Sequence, residues 1–118
     1  MESPIGGEMM EAKRRNKLYR EQPFVTRIPA AELVEEADET EYVLVQGIID
    51  VFFETEQGIV LLDYKKDRLS PGEEEVLVER YKKQMELYAY ALEKIFGKPV
   101  VKKVLYSFSL DEEIEIKG

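Results

Sequence analysis

From position 42 to 65 the chain is dominated by aliphatic, β-branched and aromatic residues, broken once by a polar stretch at 54–58. Two apolar runs joined by a short polar turn predict a β-hairpin, with strands over 42–53 and 59–65. Side chains alternate faces along a strand, so Asp63 and Lys65 share one face. With the turn centred between Glu56 and Gln57, cross-strand partners sum to 113, which sets Asp50 opposite Asp63. Opposed Cβ atoms lie about 4.5–5.5 Å apart, and like charges placed so destabilise the pair unless something positive sits between them. A divalent cation would meet that need.

Upstream, Phe24, Thr26 and Ile28 alternate against Val25 and Arg27 after Pro23, which predicts a first strand within 21–33. An acidic turn over 35–41 leads into the second strand, where Gly47 marks a close approach or a bulge. Residues 8–18 are good helix formers, with Met9, Met10 and Ala12 as the apolar side. So weak a stripe at the start of a domain is expected of a chain excised from a longer protein.

After the hairpin, Ser70-Pro71-Gly72-Glu73 carries a helix start: a Ser N-cap, Pro at the first helical position and Glu for a capping box. The helix should run to Phe96 and stop at Gly97, with Pro99 just beyond. Its inward stripe is Leu77, Tyr81, Gln84, Met85, Tyr88, Leu92, Ile95 and Phe96. Gln84 is the odd member, because a buried amide without partners costs about 1–3 kcal/mol. A fourth strand follows over 100–110, with Val104, Tyr106 and Phe108 on one face, and a short polar edge strand over 113–116. The elements predict an α/β fold: a mixed four- to five-stranded sheet with a three-strand antiparallel meander, a crossover helix and a further strand, flanked by helices.

At 118 residues the chain is long enough for one domain and one modest core. A net charge of −8 argues against a generic basic nucleic-acid binder, while leaving room for a nuclease whose site is neutralised by metal. The chain has neither cysteine nor histidine, which excludes disulfides, iron–sulfur clusters and thiolate zinc sites. Any metal must be oxygen-ligated, hence Mg²⁺, Mn²⁺ or Ca²⁺. No apolar run reaches the roughly 20 residues needed to span a bilayer, and the N-terminus lacks a signal-peptide core, so an intracellular context without a membrane partner is expected.

Asp50 and Asp63 each offer hard oxygen ligands at the end of an apolar strand, where an unpaired carboxylate would be costly. A backbone carbonyl beside Asp63 can add a third ligand, and a lysine beside the metal can orient or stabilise a bound hydroxide. Taken alone, an Asp-x-Lys pair is more often a solvated face. Lys65 pairing with both aspartates as a surface ion cluster, worth about 0–1 kcal/mol per pair, is the simpler alternative, and it leaves Gln84 unexplained.

The ordered set Gly47-x-x-Asp50, Asp63-Tyr64-Lys65-x-Asp67 and Gln84-x-x-x-Tyr88 resembles the RecB-like branch of the PD-(D/E)xK nucleases. It is similar above all to the C-terminal nuclease domains of the AddA/RexA family of bacterial helicase–nuclease proteins. Arg20-Glu21-Gln22-Pro23-Phe24 resembles their R-E-x-P-F segment, and Leu105-Tyr106-Ser107-Phe108 their terminal strand. The resemblance implies a restriction-endonuclease-like core and a Mg²⁺ (or Mn²⁺) site held by Asp50, Asp63 and the carbonyl of Tyr64, with Lys65 as the catalytic lysine. Gln84 and Tyr88, one helical turn apart, would lie over the site and contact DNA or orient the lysine. Glu21 matches an acidic position near the first strand, and is equally well read as a helix-end or strand-edge charge. Asp67 and Arg68 are assigned first to the turn before Ser70.

In the same terms, residues 1–118 are expected to be one nuclease domain of a much larger helicase–nuclease protein. Its function would be metal-dependent exonucleolytic hydrolysis of DNA during double-strand-break repair and homologous recombination in the bacterial cytoplasm. Motor domains elsewhere would use ATP and feed it single-stranded, end-derived DNA, beside a second helicase–nuclease subunit of the same complex. The alternative is a non-catalytic nuclease-like module that binds DNA ends or partner subunits, and a metal-free acidic interaction domain is a weaker third. Relatives of this branch carry a metal-binding histidine on an upstream helix, absent here, so the isolated domain is expected to bind metal and cut poorly. Lys66 stands where they usually have Thr, and by alternation should face away from Lys65.

Overall fold

The computed structural model describes residues 4–36 and 38–117. In chain order the elements are α1 (Pro4–Arg14), β1 (Leu18–Pro29), α2 (Ala30–Leu33), β2 (Tyr42–Glu54), β3 (Ile59–Lys65), α3 (Glu74–Phe96), β4 (Val100–Ser107) and β5 (Glu112–Ile116). The strands form one sheet in the order β1-β2-β3-β4-β5. All neighbours are antiparallel except β3 and β4, which run parallel and are joined by the α3 crossover. This is the mixed sheet that the hydrophobic pattern predicts, with the meander, crossover and edge strand in place.

Each face of the sheet carries its own core. On the α3 face, Ile49, Phe52, Leu61 and Leu105 pack with Leu77, Met85 and Leu92 of the helix. On the opposite face, Val51, Phe53, Leu62 and Val104 pack with Ile5 and Ala12 of α1. Because β3 is covered on both sides, its sequence is apolar without alternation through Leu62, as expected of a central strand in a mixed sheet.

Several boundaries differ from the sequence expectation, and the last residues of the expected first strand, 30–33, form the short helix α2 instead. α1 lies four residues earlier, and the chain turns at Asn16 (φ 58°) into a β1 that begins at Leu18. Its buried side is Ile5 and Ala12 with Met9 packed beside them, the i, i+4, i+7 spacing, whereas Met10 is 64% exposed. α3 starts at Glu74, because Gly72 adopts φ 94° and interrupts the first turn. Half of the expected capping box forms: the Ser70 N–H donates to the Glu73 carboxylate at 2.6 Å, but Ser70 does not cap. At the far end Gly97 closes the helix in the left-handed conformation (φ 68°), its N–H bonded to the Glu93 carbonyl. Ile95 is exposed, whereas Phe96, although partly open to solvent, packs its ring on Phe52 at 5.3 Å and on Tyr19 at 5.9 Å, and Ala89 and Ala91 are buried. β4 ends at Ser107, which leaves Phe108 outside the strand.

Candidate active site

Asp50 occupies an irregularity in β2. The β1–β2 ladder passes from Arg20–Val51 to Gln22–Ile49 without pairing Glu21 to Asp50, and Glu21 takes a left-handed φ of 47°. The β2–β3 ladder runs from Glu54–Ile59 to Val51–Leu62, every pair summing to 113, and stops one step short of Asp50 and Asp63. Strand alternation slips here, so that Ile49 and Phe52 both pack toward α3 while Val51 and Phe53 pack toward α1. Instead of a ladder bond, the Tyr64 N–H donates to Asp50 Oδ2 at 3.0 Å. Tyr64 thus meets Asp50 through its N–H rather than its carbonyl.

Asp63 is 7% exposed. Burial, reinforced by the Asp50 carboxylate beside it and only partly offset by Lys65, pushes its pKa up to about 6. The Lys65 ammonium donates to Asp63 Oδ2 at 2.7 Å, on the shared face that two-residue spacing predicts. Its other side is covered by Tyr81 of α3, whose ring centre lies 3.8 Å from Nζ. The Tyr81 hydroxyl donates to Asp67 at 3.0 Å, and Arg80 pairs with the same carboxylate at 2.9 Å. Partial burial of Asp67 is outweighed by these two bonds, which hold its carboxyl below the usual range. Asp67, expected to serve the turn, therefore ties α3 to the end of β3.

A cleft of about 560 Å³ opens beside Asp50, lined by Arg20, Glu21, Asp50, Val51, Tyr64, Lys66 and Phe108. Glu21 and Asp50 thus share one cavity. Lys66 lines it too, on the face away from Lys65, as alternation requires. Asp50 is the link between this cleft and the Asp63–Lys65 pair.

The helix residues are placed differently. Tyr88 packs edge-on against Phe24 at 5.1 Å and stands over Gly47, where a Cβ would come within 2.7 Å of its hydroxyl. That is the close approach Gly47 signals in the sequence. Gln84 is half-buried, and among the described residues neither Gln84 nor Tyr88 hydrogen-bonds to Asp50, Asp63 or Lys65. The α3 residue that reaches the lysine is Tyr81, three positions before Gln84 on the same stripe, a spacing visible in the sequence. A second buried carboxylate, Glu54, also had no sequence signal; it bonds to Lys98 and accepts from the Tyr19 hydroxyl at 3.3 Å.

Among the described residues no three acidic side chains gather around one point. The adjoining pair nevertheless fits a hard divalent cation in its chemistry: oxygen-only donors, with one charge buried against a like charge. Asp50, Asp63 and the Tyr64 backbone are the groups available to hold it.

The sequence and the fold are matched by known proteins. Residues 5–116 match the family model of the PD-(D/E)XK nuclease superfamily, and the chain belongs to that family. Within it, the chain is similar to an ATP-dependent helicase/nuclease subunit of Clostridium perfringens strain SM101, 45% identical over 97% of this chain. The protein of the same name from Clostridium novyi strain NT is 44% identical over 98%, and that of Alkaliphilus oremlandii 42% over 97%. The chain spans 9% of the length of each of these relatives. In fold it is similar to the crystal structure of SSO0001, with a TM-score of 0.56 at 15% identity, covering 95% of this chain and 46% of the other.

Proposed function

We propose that this domain hydrolyses DNA phosphodiester bonds with a divalent cation, Mg²⁺ or Mn²⁺, held by Asp50 and Asp63 with the Tyr64 carbonyl. The observation that carries the reading is the pair of buried Asp63 and partly buried Lys65, 2.7 Å apart and adjoining Asp50. When bound, the cation supplies Lewis acidity and an acidified water. The chain's own part is positional. Asp63, with its charged form disfavoured by burial, gains from a cation, and Lys65 keeps a fixed positive charge beside it where negative charge grows in phosphoryl transfer. Tyr81 keeps the ammonium from rotating away. Glu21, which lines the cleft together with Asp50, offers a further oxygen donor on that side, and Gln84 and Tyr88 lie along α3 for contact with DNA.

In the whole protein, the similarity to helicase/nuclease subunits supports an exonuclease that works on end-derived single strands during double-strand-break repair and homologous recombination. ATP would be used only by motor domains elsewhere in a bacterial cytoplasmic complex that includes a second helicase–nuclease chain. No helix among the described residues is long and apolar enough to cross a membrane.

The test is digestion of single-stranded DNA across a Mg²⁺ and Mn²⁺ titration, using this chain and a version extended upstream, with Asp63→Ala and Lys65→Ala. Cutting that depends on metal and disappears in both variants supports the reading. Cutting that survives both substitutions overturns the site, and no cutting in the extended form leaves a non-catalytic module that binds DNA ends or subunits. The gathering of only two carboxylates is what keeps that second reading in view.

A further inference from the structure

Phe108 is 52% exposed, yet it is not a loose surface ring. Its N–H donates to the Lys65 carbonyl at 3.1 Å, which fixes the backbone just beyond β4 against β3. Behind it stand Tyr64, with ring centres 5.7 Å apart, and Tyr106, edge-on at 5.2 Å. Tyr106 is anchored in turn by a hydrogen bond from its hydroxyl to Asp111. The ring is therefore held from behind and contributes its free side to the lining of the cleft beside Asp50. Two cations, Arg20 and Lys66, line the same cleft.

We propose that this cleft is the path of a single-stranded nucleic acid, with one unpaired base stacked on Phe108 and the neighbouring phosphates held by Arg20 and Lys66. The assignment rests on the nuclease reading for the direction of the strand, which would lead past Asp50. A cleft of about 560 Å³ lies within the roughly 300–1,000 Å³ typical of sites for small organic groups, so a nucleotide fits. Arg20 and Lys66 are balanced by Glu21 and Asp50, so net charge alone attracts a phosphate strand weakly. The aromatic face supplies what charge does not: base–aromatic stacking contributes about 1–3 kcal/mol per base and tolerates any sequence. A base inside a duplex has both faces covered by its neighbours and offers none to the ring, which makes Phe108 the element that selects unpaired strands.

Fluorescence anisotropy tests this with a labelled short oligothymidylate and the same probe annealed to its complement, in Ca²⁺. Phe108→Ala should weaken single-strand binding about 10-fold with an unchanged melting temperature and salt slope, while duplex binding stays the same. Phe108→Trp should restore the affinity. Arg20→Ala and Lys66→Ala should each flatten the salt slope by about 0.7. The path is overturned if the oligothymidylate does not bind, if Phe108→Ala binds as tightly as the parent, or if single strand and duplex weaken equally. Asp63→Ala separates the two readings, since it should abolish cutting but keep the Phe108 dependence. Binding as described without any metal-dependent cutting in the version extended upstream sinks the nuclease and keeps the path. Cutting with no Phe108 effect does the reverse.

Discussion

Lys65 and Tyr81 form a cation–ring pair, 3.8 Å from ammonium to ring centre, formed while the same ammonium bonds Asp63. A lysine on a strand is thereby fixed from both sides, by a carboxylate two residues back and by a helix sixteen residues on. Tyr81→Leu removes the ring and should lower the cutting rate about 10-fold, with little change in substrate KM. Tyr81→Phe keeps the ring and loses only the bond to Asp67, so it should cut normally while losing about 1 kcal/mol of stability. Single-turnover cleavage and urea unfolding of the two variants check this.

Stability should depend on pH through Asp63. Its folded pKa of about 6 lies above the ordinary 3.8, so the fold favours the protonated acid. That contribution is complete below about pH 4 and is lost as pH rises through about 6. Without metal, the melting temperature of the parent minus that of Asp63→Asn should therefore fall between about pH 4 and pH 7. Adding Mg²⁺ at about pH 7 should raise the parent's melting temperature and leave that of Asp63→Asn almost unmoved. Differential scanning calorimetry of the pair reads both effects.

Gly47→Ala should destabilise the domain by about 1–3 kcal/mol, since the new Cβ would come within 2.7 Å of the Tyr88 hydroxyl. Tyr88→Phe removes that oxygen, although the ring carbon behind it, 3.1 Å away, still crowds the site. The double variant should recover part of the loss, and a double-mutant cycle by denaturant unfolding measures the coupling.

Glu54 accepts from Lys98 and Tyr19 at the end of β2, and the Lys98 bond is the main reason its carboxyl is held below the usual range. Lys98→Met should cost about 1–3 kcal/mol by leaving a buried carboxylate poorly paired. The loss should be present near neutral pH and shrink as pH falls below about 4.5. Urea unfolding at two pH values distinguishes this from simple lost packing.

The hairpin, its register and the Asp63–Lys65 pair were legible in the sequence because they depend on short-range rules: apolar runs, one polar turn and period-two alternation. The stop at Gly97 was legible for the same reason. The phase of α1 was not, because Met9 and Met10 are equally apolar and only the sheet beneath selects Met9. Nor was the helix start, where the N-cap pattern at Ser70 competes with Gly72, free to take φ 94°. The roles along α3 depend on how the helix crosses the sheet, so Gln84 and Tyr88 stand away from the lysine that Tyr81 covers. The alternation slip at Asp50 arises from pairing on two sides at once, which no single strand encodes.

β3 is the third of five strands, with two on either side. In such a sheet the outer strands fray first and the middle one opens only with the whole domain. Amide exchange at Asp63 and Lys65 should therefore report global unfolding, while that at Arg20, on the edge strand, should report local opening. Asp63 and Lys65 thus sit in the strand expected to open last, while Arg20 and Glu21 sit on an edge expected to open sooner. Fraying at that edge would move Arg20 and Glu21 while leaving Asp63 and Lys65 held in the middle of the sheet.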